Sequence, residues 1–373
     1  MARIKIDYDS SILSVSNSVL EHFKVSPDYA TLPELDSILS KDYTNVVLMI
    51  IDGMGTAILR KNLPEDSFLN QHILREISSV FPPTTAAATT AFHSGLPPLH
   101  SGWLGWMNYF PQYDKIIEVF RNTEFYSGKA ISEPAPAETF IKYDSIYSRI
   151  TAKNPEVEYY KIFPPFDDDG VESFSEMCEK VVETAGKNSH KKIISAYWTE
   201  PDHSIHAYGT GSSEVKEILK DIEYQIVKMS KQIKDTVVII SADHGAVDVE
   251  ETYLNAYPDV CETFLRPPAL EARFITFFVK PEYKNAFPKL FEKYFGADFV
   301  LFGKQEFLSS GILGTKKMHP MVPDFLGDFV AIAIKNKSLR YTTYEKEFKV
   351  MKADHAGFSA DEMKVPVIVL EAK

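Results

Sequence analysis

The amino-acid sequence predicts an α/β fold in which helices flank a central, mostly parallel sheet, with a smaller inserted α+β subdomain. One observation is a set of short, almost wholly apolar runs, which are typical of strands covered on both faces: Val46–Ile51, Ile193–Trp198, Val237–Ser241, Phe274–Val279, Val330–Ile334 and Val365–Leu370. The other is helical periodicity between some of these runs. Strands that alternate with helices in this way form a sheet with helices on both faces.

Two segments predict helices beside these strands. Within residues 213–234, apolar side chains recur at steps of three and four, as in an amphipathic helix: Val215, Ile218, Leu219, Ile222, Ile226, Met229 and Ile233. Either Ser212 or Ser213 offers a hydroxyl for the N-terminal cap of this helix. A second helix is expected at residues 171–184.

The stretch from about residue 265 to residue 344 predicts the inserted subdomain. It contains an apolar strand, an aromatic-rich helix at residues 281–295, glycine-punctuated loops and another strand. Residues 1–264 and 345–373 then form the main catalytic domain. Because residues 265–344 interrupt the candidate functional motifs described below, we expect the insert to overhang the site and to shape substrate choice.

Length and charge limit the classes of function. The 373 residues are enough for one large α/β domain, or two smaller ones, with a sizeable core. The formal net charge of −12 disfavours nucleic acid as a partner, because binding to a phosphate backbone normally requires a basic face. A small phosphorylated substrate stays open, since bound cations reverse the local electrostatic field.

The sequence predicts a cytoplasmic location. No apolar run of about 18 residues suggests a membrane span, and the N-terminal segment lacks the apolar core of a signal peptide. Cys178 and Cys261 are the two cysteines, and their spacing matches no metal motif. Two free thiols fit a reducing compartment. No membrane partner is expected, and the oligomeric state is left open.

Asp and His side chains lie at the ends of the predicted strands, where the functional groups of open α/β sheets collect. They are Asp52, Asp202 with His206, Asp243 with His244, and Asp354 with His355. Any one of them is more often a helix cap, a turn former or a satisfied histidine. Four such sites together predict bound zinc or a similar divalent ion, because these side chains supply the oxygen and imidazole ligands that it prefers.

The segment FPPTTAAATTAFHSGLPPLHSG offers a candidate nucleophile. A Pro-Pro turn leads into Thr84 and Thr85, and a helical stretch of small residues follows. A hydroxyl at this position is either a helix cap or a nucleophile that a base or a metal activates. In a helix that begins after Pro83, neighbouring side chains point about 100° apart. Only one of the two threonines is therefore expected to face the metal ligands.

The joint pattern resembles the type I phosphodiesterase/nucleotide pyrophosphatase family of the alkaline phosphatase superfamily. The motifs IDGMG, PPTTAAATTAFHSGLPP, EPDHSIHAYG, SADHG and DHAGF occur in the family's order across nearly the whole chain. The resemblance implies an alkaline-phosphatase-like sheet. It also implies a two-metal phosphoric ester hydrolase, of the phosphodiesterase or nucleotide pyrophosphatase type, that acts through a phosphothreonine intermediate.

The resemblance assigns roles residue by residue. One divalent ion takes Asp202, His206 and His355, and the second takes Asp52, Asp243, His244 and the alkoxide of Thr85. The small-Gly-Leu-x-Pro element at Ser94–Pro98 fixes the register that places the nucleophile at Thr85 rather than Thr84. His203 and Asp354 match no ligand position. Zinc is the expected metal, with manganese as the alternative.

Two departures from the family concern the substrate. Nucleotide-cleaving members have a Phe after the nucleophile, where it stacks on the base, and Ala86 stands there. Trp106 occupies the position of the Asn that holds a phosphate oxygen. Asn108 lies two residues further on, and we predict it either as that phosphate contact or as a turn former. The natural substrate therefore stays open among diesters, nucleotides, monoesters and phosphonates.

Other functions fit the residues less well. A phosphonate hydrolase or phosphomonoesterase of the same superfamily uses the same machinery and stays open as an alternative. A sulfatase requires a Cys or Ser followed by Pro and Arg, which TTAAATT lacks. A phosphoglycerate-mutase-like enzyme would use Ser and other ligand spacings. A catalytically inactive metal-binding domain is disfavoured because six ligands are retained together with the threonine.

Overall fold

The fold is that of a computed structural model, which describes residues 6–131, 134–167, 169–343 and 349–373. Within these residues the strands are β1 (Asn45–Ile51), β2 (Ile73–Ser78), β3 (Met107–Phe110), β4 (Lys115–Glu118), β5 (Thr123–Glu124), β6 (Glu158–Ile162), β7 (Lys192–Trp198), β8 (Thr236–Ser241), β9 (Val247–Asp248), β10 (Glu250–Tyr253), β11 (Phe264–Leu270), β12 (Phe274–Val279), β13 (Phe299–Gly303), β14 (Phe329–Ala333), β15 (Lys337–Arg340), β16 (Ala353–Asp354) and β17 (Lys364–Ala372).

The same residues form α-helices and short 3-10 turns. The helices are α1 (Ile12–His22), α2 (Pro33–Leu39), α3 (Thr56–Asn62), α4 (Phe68–Gln71), α5 (Thr85–Ser94), α6 (Pro98–Ser101), α7 (Pro136–Phe140), α8 (Ile146–Lys153), α9 (Phe174–Ala185), α10 (Asp202–Tyr208), α11 (Ser213–Ser230), α12 (Pro258–Cys261), α13 (Phe287–Phe295), α14 (Lys304–Ser309), α15 (Val322–Phe325) and α16 (Ala360–Met363). The 3-10 turns are Tyr8–Ser10, Leu254–Ala256 and Pro281–Tyr283. None of the described helices is long and apolar enough to cross a bilayer.

A six-stranded sheet in the order β2-β17-β8-β1-β7-β6 forms the centre of the fold, which confirms the predicted α/β class. β6, β7, β1 and β8 run parallel, and β17 is antiparallel to both of its neighbours. In β1, Ile50 pairs with Tyr197 of β7 and with Ser241 of β8. The three strands therefore end at the same level, and the residues that follow them emerge at one edge of the sheet.

Helices cover this sheet and share one apolar core with it. All seven residues of β1 are buried, as expected for a central strand with both faces covered. The core includes Val15 of α1, Met177 of α9 and Leu219 of α11. Ser212 caps α11 through its hydroxyl, which accepts from the N–H of Val215. Of the two serines considered for this cap, Ser212 provides it.

A second, seven-stranded antiparallel sheet has the order β13-β14-β12-β11-β3-β4-β5. Four of its strands come from residues 264–333, which correspond closely to the predicted insert, and three come from residues 107–124. On α13, Phe287 and Phe291 are one turn apart, and both rings contact Phe277 of β12. The predicted upper boundary of the insert, between residues 344 and 345, lies outside the described residues.

The predicted strands are found within two residues at either end, and the helix predicted at 171–184 is found at Phe174–Ala185, but the other two predicted helices differ more. The helix predicted at 213–234 ends at Ser230, because the chain must turn into β8, and Ile233 reaches the core from that turn. The helix predicted at 281–295 begins at Phe287. Pro288 lacks an N–H and would clash with the carbonyl four residues earlier, so it is tolerated only in the first turn.

A buried ion pair joins the second sheet to the loop that follows His355. Arg273 Nε lies 2.7 Å from Glu362 Oε1, and its Nη2 lies 2.8 Å from Oε2. Both side chains are fully buried. The same carboxylate accepts hydrogen bonds from the backbone N–H groups of Gly357 and Ser359. This arrangement holds the loop against the second sheet.

Replacing Arg273 with Ala is expected to lower the free energy of unfolding by about 3–5 kcal/mol, because the Glu362 carboxylate stays buried without its charged partner. Urea denaturation followed by circular dichroism measures the change. Arg60→Ala is the control: Arg60 is 63% exposed and lies 3.2 Å from Glu76. The loss of that surface pair is expected to cost about 0–1 kcal/mol. Equal effects of the two substitutions would contradict the prediction.

Candidate metal centre

Three neighbouring strands of the central sheet each deliver an aspartate to the same edge. Asp52 directly follows β1, Asp202 begins α10 just after β7, and Asp243 follows β8. The N–H of Asp202 donates to the carbonyl of Asp52 at 3.1 Å, so the segments that follow β1 and β7 are hydrogen-bonded to each other. Gly53 has a φ of +71°, and a Cβ there would lie 2.8 Å from Asp202 Cβ. Close approach of the carboxylates therefore requires the glycine of the IDGMG motif.

Asp202, His206 and His355 form one candidate ligand group. Each offers a donor atom, and the three atoms lie within 4.8 Å of one another. His206 Nε2 is 3.3 Å from Asp202 Oδ2, and His355 Nε2 is 4.0 Å from Asp202 Oδ1. The first turn of α10 creates the Asp202–His206 contact, because residues four apart lie on one helix face. The structure thus brings together the predicted ligands of the first ion.

The second group lies beside it. Donor atoms of Asp52, Asp202 and His244 lie within 4.8 Å of one another, so Asp202 belongs to both groups. His244 Nε2 is 3.4 Å from Asp52 Oδ1 and 3.4 Å from Asp243 Oδ2. The rings of His244 and His355 are stacked with centroids 3.8 Å apart. All six predicted ligands therefore lie in one contiguous cluster.

Backbone carbonyls orient the three imidazoles. Nδ1 of His206 lies 2.8 Å from the carbonyl oxygen of Ala353, Nδ1 of His244 lies 3.0 Å from that of Gly245, and Nδ1 of His355 lies 3.2 Å from that of Pro83. A ring that donates from Nδ1 keeps the lone pair on Nε2. Contacts of this kind hold a metal-binding histidine in the required tautomer and orientation.

The carboxylates carry more negative charge than their protein partners balance. Burial, followed by repulsion from Asp243 and Asp202, raises the pKa of Asp52 well above its ordinary value. Burial also raises the pKa of Asp243. Among the described residues, the buried oxygens Oδ1 of Asp52, Oδ1 of Asp202 and Oδ2 of Asp243 have no hydrogen-bond partner. Unpartnered buried carboxylate oxygens next to imidazole nitrogens fit divalent cations.

The pKa values of the imidazoles also fit a bound cation. Burial and the neighbouring His244 lower the pKa of His355 to about 3, so this ring is neutral and its lone pair is available. Although burial opposes the change, contact with Asp202 raises the pKa of His206. A proton on His206 thus balances Asp202, and a bound cation would take its place.

Thr85 is the threonine that faces this cluster. Its Oγ1 lies 3.3 Å from His244 Nε2 and 3.5 Å from Asp52 Oδ2. Thr85 is the first residue of α5 and is partly exposed. Thr84 points elsewhere and donates its hydroxyl proton to Glu271 Oε1 at 2.7 Å. The side chains of Thr84 and Thr85 therefore point in different directions, as expected from helix geometry.

The other residues singled out from the sequence lie around the cluster. Asn108 is fully buried in β3, and its amide nitrogen donates to the carbonyl of Gly105 at 2.8 Å. Among the described residues it makes no hydrogen bond with the predicted metal ligands, and its contact with phosphate stays a prediction. Ala86 is buried in the apolar core beside the second sheet. The N–H of Trp106 donates to Glu271 Oε1 at 2.6 Å.

His203 and Asp354 lie within the motifs without joining the ligand groups. The His203 side chain is 84% exposed on α10, and its Nδ1 lies 3.9 Å from Glu200 Oε1. Asp354 accepts hydrogen bonds from Ser338 at 2.9 Å and from Arg340 at 3.3 Å. Its Oδ1 also accepts a hydrogen bond from the N–H of His355 at 2.9 Å.

The sequence pattern did not single out Tyr197 and Glu271. Tyr197 lies in β7, and its hydroxyl donates to Asp52 Oδ2. A tyrosine near the end of an otherwise apolar strand, just before EPDHSIH, was the available signal for this contact. Glu271 follows β11 of the second sheet and reaches Thr84 from 187 positions away. No local pattern indicates such a contact.

Tyr197→Phe is expected to weaken metal binding about 10–100-fold, because Asp52 loses the hydroxyl that orients its carboxylate. Competition with a chromophoric chelator measures the dissociation constant. Tyr160→Phe serves as the control, since its hydroxyl bonds to Glu158 at 2.8 Å, apart from the ligand groups. Unchanged affinity in Tyr197→Phe would show that the hydroxyl does not position Asp52.

The fold and the cluster together define a metal-dependent hydrolase of the alkaline phosphatase superfamily. The chain belongs to the type I phosphodiesterase/nucleotide pyrophosphatase family, whose model matches residues 46–273, more than half of the chain. No curated protein sequence matches it.

Solved structures share the fold at low sequence identity. The murine ectonucleotide pyrophosphatase/phosphodiesterase 5 superposes with a TM-score of 0.66 and 15% identity, covering 86% of this chain and 87% of that protein. The human protein of the same name superposes with a TM-score of 0.65 and 14% sequence identity, covering 87% of each chain. Phosphonoacetate hydrolase from Sinorhizobium meliloti 1021, in complex with phosphonoformate, superposes with a TM-score of 0.61 and 15% sequence identity. The match covers 88% of this chain and 90% of that chain.

Proposed function

We propose that this protein hydrolyses phosphoric esters with two divalent metal ions and a phosphothreonine intermediate on Thr85. One observation carries the proposal: Thr85 Oγ1 lies within 3.5 Å of both Asp52 and His244, beside the carboxylate oxygens that have no partner. A hydroxyl so placed can be activated without a separate protein base.

The six clustered side chains would hold two ions. Asp202, His206 and His355 would hold the first, and Asp52, Asp243 and His244 the second. When bound, the ions supply positive charge that lowers the pKa of the attacking hydroxyl and neutralises the phosphoryl oxygens. The mixture of carboxylate and imidazole favours zinc, with manganese as the alternative.

Thr85 performs the covalent step. Its Oγ1 loses a proton to water and attacks phosphorus, so that a new O–P bond forms and the bond to the leaving group breaks. Attack of water on the phosphothreonine then releases phosphate, or a phosphate monoester, and restores the hydroxyl. Because Thr85 is partly exposed, water reaches the intermediate.

The start of α5 supplies donors for the transferred group. The first N–H groups of a helix have no partner within it and attract anions. Among the described residues, the N–H groups of Thr85, Ala86 and Ala87 make no hydrogen bond. They lie next to the Thr85 hydroxyl, where a phosphoryl oxygen would accept from them.

The proposed substrate is a small phosphate diester or nucleotide pyrophosphate. The family supports this class, and an inactive variant of the murine relative was solved in complex with AMP. A phosphonate or a phosphomonoester is the alternative, supported by the similar fold of the phosphonoacetate hydrolase and by Ala86, which offers no ring to stack on a base. The cytoplasmic location stays a prediction, and the two free thiols support it.

Turnover by the zinc- and manganese-loaded protein tests the proposal. The substrates are bis-p-nitrophenyl phosphate, p-nitrophenyl phosphate, a nucleotide pyrophosphate and phosphonoacetate, each with and without chelator. We expect chelator-sensitive turnover with the diester or the pyrophosphate as the preferred substrate. Preference for phosphonoacetate or for the monoester would favour the alternative. Absence of turnover on all four with both ions bound would refute the proposed function.

A further inference from the structure

Glu271 links the second sheet to the residue before the nucleophile. Its Oε1 accepts two hydrogen bonds, from Thr84 Oγ1 at 2.7 Å and from the N–H of Trp106 at 2.6 Å. Glu271 directly follows β11. Thr84 directly precedes α5, and Trp106 directly precedes β3. One oxygen thus connects the segment that carries Thr85 with the loop that faces it.

The hydrogen bond to Glu271 changes the role of Thr84 at the N-terminus of α5. Thr84 is the N-cap residue of α5 and has the extended backbone of a cap, with φ −142° and ψ 148°. A threonine there normally accepts a hydrogen bond from the second or third N–H of the helix, which belong to Ala86 and Ala87. In this protein its side chain makes no such bond and turns to Glu271 instead.

We propose that Glu271 is a positioning residue that holds the Thr84 hydroxyl away from the start of α5, so that the first N–H groups stay open for a phosphoryl oxygen of the substrate. The inference rests on the proposed function. Without Glu271, Thr84 rotates into the ordinary cap position and occupies an N–H group of Ala86 or Ala87. The substrate then competes with a side chain that is always present.

The role of Glu271 depends on its shape rather than its charge. Both donors meet the same oxygen, which accepts hydrogen bonds whether or not the other oxygen carries a proton. Burial raises the pKa of Glu271 to about 7, so both forms occur near neutrality. Glutamine presents a carbonyl oxygen of the same reach, and Glu271→Gln is therefore the conservative variant.

Four variants test the inference with bis-p-nitrophenyl phosphate: Glu271→Ala, Glu271→Gln, Thr84→Val and the double variant Glu271→Ala/Thr84→Val. We expect Glu271→Ala to lower kcat/KM about tenfold or more, since one donor to the phosphoryl oxygen is lost. Glu271→Gln should stay within about threefold of wild type. The double variant should be at least threefold faster than Glu271→Ala, because no hydroxyl is left to cap the helix. A double variant as slow as Glu271→Ala overturns the proposal.

A structural measurement separates this inference from the proposed function. In a crystal structure of zinc-loaded Glu271→Ala, Thr84 Oγ1 should lie within hydrogen-bond distance of the N–H of Ala86 or Ala87. Metal content should equal that of wild type. If the wild-type protein turns over none of the four substrates, the proposed function fails, and this structure still decides how Thr84 is held. A Thr84 hydroxyl that stays turned away from the helix refutes the role of Glu271.

Discussion

Thr85→Ala is expected to abolish turnover while leaving the metal ions bound. The hydroxyl is the group that forms the bond to phosphorus, and its removal leaves Asp52 and His244 in place. Loss of a nucleophile typically lowers kcat by at least about 10³-fold, as it does in serine proteases. Steady-state kinetics and metal analysis of the same preparation measure both quantities. Thr85→Ser should retain part of the rate, since a hydroxyl remains.

Thr84→Ala is the matched control for this substitution. It removes a neighbouring hydroxyl that bonds to Glu271 and that, in the part of the chain that the structure describes, makes no hydrogen bond with the ligand groups. Most of the activity should remain, at a cost of about 1 kcal/mol in the free energy of unfolding. Mass spectrometry of trapped phosphoenzyme locates the label. Phosphate on Thr84 would overturn the assignment of the nucleophile.

Asp202→Asn is expected to have the second large effect, a loss of metal that is greatest at the position shared with His206 and His355. Asp202 is the residue that the two ligand groups share, and its buried Oδ1 has no hydrogen-bond partner among the residues that the structure describes. An amide offers a weaker, uncharged oxygen there. Metal analysis after zinc reconstitution should find close to two ions per wild-type chain and clearly fewer in the variant, with turnover reduced at least about 10²-fold.

His203→Ala controls for disturbance of α10. His203 is the neighbour of Asp202 in the chain, but its side chain is 84% exposed and lies outside both ligand groups. We expect wild-type metal content and turnover. Full metal content in Asp202→Asn, or loss of metal in His203→Ala, would show that the ligand assignment is wrong.

The candidate metal ligands were predictable because each belongs to a short local motif. Asp52 directly follows β1, Asp243 lies two residues after β8, and Asp202 lies four residues after β7. The apolar composition of these strands is readable from the sequence, and their register brings their ends level. His206 follows from helix geometry, since it lies one turn beyond Asp202. The side-by-side arrangement of the two groups, with Asp202 in both, appears only in the folded chain.

The sequence by itself determined the central sheet and the candidate ligand residues, because periodicity and strand ends act over a few residues. Helix phase required Thr84 and Thr85 to diverge, and the resemblance assigned the nucleophile to Thr85. Tertiary structure decided the rest. Pairing of β11 with β3 joins residues 107–124 to the second sheet, and the same junction brings Glu271 to Thr84 and Trp106. Contacts of this kind depend on which distant segments share a sheet, and hydrophobic patterning within one segment does not identify the strand with which it pairs.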